Sequence, residues 1–228
     1  AMDEERTAYN FKKICNDNNI STNYIPDPCV YLKAQKNSTE LSGARNANIR
    51  DGLSITKFLY WLKNEIVIDK TDEIKAADYL YNLRKNNNLF HSLSFDTISA
   101  IDEHAALPHY TITHESNLSF RDNSIYLVDS GAQYLDGTTD ITRTIILGEP
   151  TEEQKDRFTR VLKGHIAIAS ATFEVKTKGS TLDPLARKSL QDIGCDYDHG
   201  TGHGIGSFLS VHEGPQRIAK SQGLSDGE

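Results

Sequence analysis

The stretch Tyr126-Leu-Val-Asp129-Ser-Gly-Ala-Gln-Tyr-Leu-Asp-Gly-Thr-Thr-Asp140-Ile-Thr-Arg-Thr144 decides how this chain is read. Asp129 ends an apolar run, where a carboxylate has little structural reason to sit. Asp140 follows eleven residues later, just before the β-branched run Ile141 to Leu147. Ser124 to Asp129 and Ile141 to Leu147 read as strands from their β-branched and apolar content. Asp136-Gly137 between them signals a tight turn. Two strands joined this way can bring both carboxylates to one sheet face. Without a cation the pair repels and one pKa rises; a divalent metal reverses the sign. The bland alternative has Asp129 capping a turn and Asp140 as a solvated strand-end acid.

Downstream, His199-Gly-Thr-Gly-His203-Gly-Ile-Gly is followed by Val211-His212-Glu-Gly-Pro215. A histidine arriving from this region completes a hard, oxygen-rich site with one imidazole. Two aspartates and three histidines in this order read as half of a two-metal site. His199 and His203 are four apart and share a face on a strand. Gly202 and Gly204 permit close backbone approach. The competing reading is two loop histidines satisfied by backbone carbonyls. Gly200, Gly202, Gly204 and Gly206 do not form a phosphate loop, because neither a following Lys-Ser/Thr nor GxGxxG spacing after a strand is present.

The 228 residues suffice for one substantial core, or one domain plus a fragment. A net charge of −7 predicts no basic surface for nucleic acid or anionic membrane. No apolar run has the length of a membrane-spanning helix. Cys15, Cys29 and Cys195 are too few and too scattered for a disulfide framework or zinc ribbon, which predicts reduced thiols and a cytoplasmic location. The sequons at Asn37 and Asn117 read as chance.

Residues 1–35 are mixed: Arg6 to Asn16 predicts a short helix, and Ile20 to Leu32, with Pro26 and Pro28, a loop with short strands. A long helix is predicted from Asn37 or Ser38 to about Ile66, opened by an Asn37/Glu40 capping box, with Leu41, Ala44, Ile49, Leu53, Leu59 and Leu62 as its apolar stripe. A second is predicted from Thr71 or Asp72 to the run 85–88, burying Ala76, Ala77, Leu80 and Leu83. Leu93 to Ser99 is a candidate strand. Thr151 and Gln154 form a second capping box, and the helix behind it is expected to bury Phe158, Val161, Leu162, Ile166 and Ala169. A shorter helix is predicted from Asp183 to Asp192. Helices alternating with antiparallel strand pairs, without regular βαβ units, argue for an α+β domain.

These motifs resemble the catalytic domain of X-prolyl aminopeptidase (aminopeptidase P), within the pita-bread metallopeptidases. The resemblance rests on Leu127-Val-Asp129-Ser-Gly-Ala-Gln-Tyr134, Asp136-Gly-Thr-Thr-Asp140-Ile-Thr-Arg-Thr144, Val161-Leu-Lys-Gly-His165, His199-Gly-Thr-Gly-His203-Gly, Gly206-Ser-Phe-Leu209 and Val211-His-Glu-Gly-Pro215. It covers Gln35 to about Lys220. It implies Asp129, Asp140 and His203 as metal ligands, His109 and His212 as catalytic residues, and His199 beside the substrate. In that reading His212 shuttles a proton and His109 orients substrate and the developing charge. His91, His104, His114 and His165 receive no role.

The implied cofactor is a pair of divalent metal ions, manganese foremost, with zinc or cobalt as rivals. The implied reaction removes an N-terminal residue that precedes proline. The family's two further glutamate ligands would fall beyond Glu228. The expectation is therefore a C-terminally incomplete pita-bread domain over 36–228, with 1–35 as the remnant of a preceding domain and linker. Such a chain is expected to be inactive by itself, to bind one metal or none, and to cover its open sheet edge with a second copy as a homodimer. The rival is a non-catalytic pita-bread fragment or peptide- or protein-binding module.

Overall fold

The computed structural model describes residues 1–4 and 6–220. The chain divides into two compact units, residues 1–36 and the part from Asn37 onward. In the first, α1 (Tyr9–Asp17) and α2 (Pro28–Ala34) flank an extended stretch in which Tyr24 bridges Met2. The prolines do not keep 20–32 a loop. Pro28 opens α2 at its first position, where no amide hydrogen is needed, and the Asp27 carboxylate accepts from the Cys29 amide at 2.9 Å.

The second unit begins with α3 (Ser38–Asn64). Both bonds of its capping box are present: Glu40 N donates to the Asn37 side chain at 3.0 Å, and Asn37 N donates to the Glu40 carboxylate at 2.8 Å. Its buried face is Gly43, Ala47, Asp51, Ser54, Ile55, Phe58 and Leu62, so the predicted stripe is corrected except at Leu62. Leu41, Ile49 and Leu53 are exposed. The first half of α3 lies on backbone, which demands small residues: a Cβ on Gly43 would sit 2.0 Å from the Asp136 carbonyl oxygen.

After α4 (Glu73–Lys85) come β1 (Phe90–Leu93) and β2 (Ile98–Ile101) in place of the single strand predicted over 93–99. The chain breaks there because the two strands join different sheets. β2, β3 (Ser124–Ser130) and β6 (Ile141–Leu147) form one antiparallel sheet in the order β2-β3-β6. β1 pairs with β4 (Ala132–Tyr134), and β4 with β5 (Gly137–Thr138). The Asp136-Gly137 signal therefore closes a small hairpin of its own, inserted between β3 and β6.

Strand β3 alternates strictly. Tyr126 and Val128 are fully buried against Ile55, Phe58 and Leu62 of α3 and Ala76 and Leu80 of α4, with Phe120 and Leu147 in the same cluster. Ile125, Leu127 and Asp129 take the other face and are half-buried. The helices thus cover one face of the sheet and leave Asp129 on the other.

Helix α5 (Glu152–Ala169) starts at the predicted Thr151/Gln154 capping box, with bonds of 3.2 and 2.8 Å. Its predicted apolar stripe is not buried: Phe158, Val161, Leu162 and Ile166 are all exposed. α5 instead packs on α6 (Gly179–Gln191) through Gly164, where a Cβ would lie 2.1 Å from the Ala186 carbonyl oxygen. α6 starts four residues before the predicted Asp183 and carries Pro184 within it. The remaining pair is β7 (Gly202–His203) with β8 (Arg217–Ile218).

Candidate metal centre

Asp129 stands opposite Thr142 in the β3–β6 register, and residues so paired point to the same face. The Thr142 hydroxyl donates to Asp129 Oδ1 at 2.8 Å. Asp140 precedes β6 by one residue. Its backbone neighbourhood is set from behind: the buried Asp51 carboxylate accepts from Thr139 Oγ1 at 2.8 Å, from Tyr134 OH at 3.0 Å and from Arg84 at 2.7 and 2.8 Å. Neither Asp51 nor Arg84 is exposed at all. Sequence reading missed this hub. The signal was there: Asp51 sits in the four-residue spacing of Ala47 and Ile55 on α3.

His203 reaches the site from β7. Its Nε2 lies 3.2 Å from Asp140 Oδ2, and its Nδ1 lies 2.8 Å from the Gly204 carbonyl oxygen. His212 arrives on the loop after Leu209, with its ring 4.0 Å from that of His203, centroid to centroid. One donor atom from each of Asp140, His203 and His212 falls within 4.8 Å of the others.

Of the three residues predicted to hold metal, Asp140 and His203 thus come together, and His212 is the third member of the group. Asp129 lies beside it. Burial pushes the Asp129 carboxyl above the usual carboxylate range; the Thr142 hydrogen bond opposes this, and the nearby Asp140 charge adds to it. The hydrogen bond to Asp140 raises the His203 imidazole above its ordinary value, against a smaller opposing effect of burial. A carboxylate pair with two imidazoles fits a divalent cation chemically: imidazole suits zinc, copper, iron or nickel, and carboxylate suits manganese or magnesium.

His212, predicted to move a proton, lies inside the donor group itself. His109 is exposed and lines a separate open cavity of about 300 Å³ with Asp96, Ile98 and Tyr110. That cavity adjoins the sheet at Ile98, the register partner of Asp129. The loop carrying His109 is anchored by the fully buried Glu73. Its carboxylate accepts from the Ile101 and Leu118 amides and from Tyr110 OH, with His104 Nδ1 at 2.9 Å.

His199 is stacked on Tyr197, and its Nδ1 lies 2.8 Å from the Gly200 carbonyl oxygen. Its own carbonyl accepts from buried Arg187 at 2.8 Å. It is not part of the three-residue donor group. His165 is exposed on α5.

Known proteins resemble this chain. A probable Xaa-Pro aminopeptidase P of Aspergillus clavatus is 53% identical over 190 residues, which is 82% of this chain and 29% of that protein. One of Paracoccidioides brasiliensis is 50% identical over 193 residues, 84% of this chain and 31% of that protein. The chain therefore spans about three tenths of the length of these curated relatives.

Among solved structures, the X-prolyl aminopeptidase of Caenorhabditis elegans, a cytosolic enzyme with a di-nuclear active site, aligns with a TM-score of 0.82 and 38% identity, over 94% of this chain and 39% of that one. The X-Pro aminopeptidase of Thermotoga maritima aligns with a TM-score of 0.76 and 26% identity, over 96% of this chain and 59% of that one. The α+β architecture is that of the pita-bread fold these neighbours carry. The model of metallopeptidase family M24 matches residues 42–228, most of the chain and every residue of the donor group, so the chain belongs to metallopeptidase family M24.

Proposed function

We propose that the protein to which this chain belongs is an aminopeptidase that releases the N-terminal residue of peptides with proline in second position. One observation carries the reading. Asp140, His203 and His212 gather beside Asp129, in a chain about half identical to probable Xaa-Pro aminopeptidases. Asp129, Asp140 and His203 are the residues that hold divalent metal, with manganese as the proposed ion and zinc or cobalt as its rivals. When bound, the metal supplies Lewis acidity and a nucleophile at neutral pH.

The chain's own groups do the rest. Asp140 and Asp129 provide the negative charge that draws cations to the open sheet face. His212, on a loop and exposed, takes up and hands on the proton destined for the leaving amine, as a positioned imidazole can. His109 orients the substrate from the cavity beside β2. His199 lines the substrate from the loop that Arg187 fixes. A cytoplasmic location is proposed from the three free thiols and the cytosolic character of the C. elegans neighbour. A homodimer is proposed through β6, an edge strand among the described residues, whose Thr142, Arg143 and Thr144 are exposed.

The test is hydrolysis by the whole protein of a peptide bearing proline in second position, with Mn²⁺ added. Release of the first residue that disappears in Asp140→Ala supports the reading. Peptide binding without release, with Mn²⁺, Zn²⁺ and Co²⁺ alike, would overturn it in favour of a peptide-binding module.

A further inference from the structure

The geometry points to Gln133 as the positioning residue that sets the His212 loop in register with Asp140. Gln133 lies on β4 and is 1% exposed. An amide in that position must find hydrogen-bond partners on both its oxygen and its nitrogen. Its nitrogen donates to the Tyr134 carbonyl at 2.8 Å and the Gly137 carbonyl at 3.4 Å, both in its own hairpin. Those two acceptors fix which way the amide faces, so its oxygen turns towards Thr138 and the Leu209 loop. That oxygen accepts from Thr138 Oγ1 at 2.7 Å and from the Leu209 amide at 2.8 Å.

The two partners belong to the two segments that build the site. Thr138 is two residues before Asp140, and Leu209 is three before His212. A single oxygen atom thus joins them. The Thr138 hydroxyl, whose one proton goes to Gln133, also lies 3.4 Å from the Leu209 carbonyl oxygen. Beside this, the Phe208 ring rests 5.9 Å from the His91 ring on β1.

The loop needs such a clamp. Leu209 and Ser210 hold φ of 60° and 52°, a left-handed conformation that side chains disfavour. A glutamate at 133 would turn a carboxylate oxygen towards the Tyr134 and Gly137 carbonyls. An asparagine would fall one methylene short of Leu209. Glutamine alone among the polar side chains supplies both the reach and the donor–acceptor pattern.

The test is NMR on the metal-free 228-residue chain with labelled histidines. Wild type is expected to show a nuclear Overhauser contact between the His203 and His212 rings. Gln133→Leu is expected to lose it while the contact of Phe58 with Tyr126 in the core remains. Thr138→Val, which removes one of the two bonds, is expected to weaken it, and decides the matter if Gln133→Leu does not fold. An undiminished His203–His212 contact in a folded variant of either kind would overturn the proposal.

A second measurement rests on the metal reading above, with His212 close enough to Asp140 and His203 to add a donor: calorimetric titration with Zn²⁺. Gln133→Leu is expected to weaken uptake by about tenfold, as loss of an orienting group does. In a His212→Ala background it should add almost nothing. An equal loss in both backgrounds would show a general structural role and sink the proposal. Wild type that shows the ring contact but takes up no Zn²⁺ would refute the metal reading and leave the positioning role standing.

Discussion

Asp51 and Arg84 pair through two hydrogen bonds, Nε to Oδ1 at 2.7 Å and Nη2 to Oδ2 at 2.8 Å, with neither side chain exposed. The pair joins α3 to α4, and the same carboxylate receives the hydroxyls of Tyr134 and Thr139. Thr139 is the residue before Asp140. A buried charge pair on the helix side of the sheet therefore determines where the carboxylate on the open side begins.

Breaking that pair by Arg84→Met should cost about 3–5 kcal/mol, because the Asp51 charge would stay buried without its cation. Urea denaturation followed by far-UV circular dichroism measures it. A loss below about 1 kcal/mol would mean the pair is far better hydrated than its burial indicates.

Two glycines of α3 should respond in opposite directions. Gly43→Ala forces a Cβ to 2.0 Å from the Asp136 carbonyl oxygen, so helix and hairpin must part. It should destabilise by about 1–3 kcal/mol. Gly52→Ala meets nothing within 4 Å and should stabilise by about 0.5–1 kcal/mol through helix propensity. Thermal unfolding of the two variants side by side checks both signs. A Gly43→Ala as stable as wild type would contradict the packing of α3 on the hairpin.

Arg50 holds Asp136 with two bonds of 3.0 Å and keeps its carboxyl below its ordinary value of 3.8. For a carboxyl depressed in the folded state, the stabilisation is present above 3.8 and is lost as pH falls through the lower, folded-state pKa. Asp136→Asn should therefore lower stability at neutral pH by about 1–2 kcal/mol and flatten the acid limb of the stability profile. Stability measured by denaturant at stepped pH tests this. An acid limb as steep in Asp136→Asn as in wild type would assign that limb to other groups.

The proposed ligands Asp129, Asp140 and His203, gathered beside one another, predict one divalent ion per chain. Asp140→Ala should weaken Mn²⁺ uptake by more than about tenfold, since a lost ligand costs at least what a lost orienting partner does. Calorimetric titration of the 228-residue chain reports both number and affinity. Two equivalents bound with equal strength would show that further groups complete a second position.

The elements most legible in the sequence were those closed by local bonds. The Asn37/Glu40 and Thr151/Gln154 boxes join residues three apart, and both form as the spacing implies. Strand β6 runs from Ile141 to Leu147, as its β-branched content requires. Where the expectation failed, the burial was decided by a partner elsewhere. Leu53 looked like core and is exposed, while Asp51, two residues before it and outside the expected stripe, is buried, because the partner of that face is Arg84, 33 residues on. Pattern reading counts apolar side chains and cannot see a buried charge whose counter-charge lies on another helix.

The sequence by itself determined the family, the α+β alternation and the residue types that could meet a cation, since these follow from motif order and from hydrogen bonds a few residues long. Only the tertiary structure decided which of them meet. Asp129 and Asp140 are close in the chain, yet Asp140 shares its donor group with His203 and His212, while Asp129 stands beside it held by Thr142. The reason is physical. A strand's alternation fixes the face a side chain takes, but the approach of a distant loop depends on bonds such as that from Leu209 to Gln133, 76 residues apart, which no local spacing encodes.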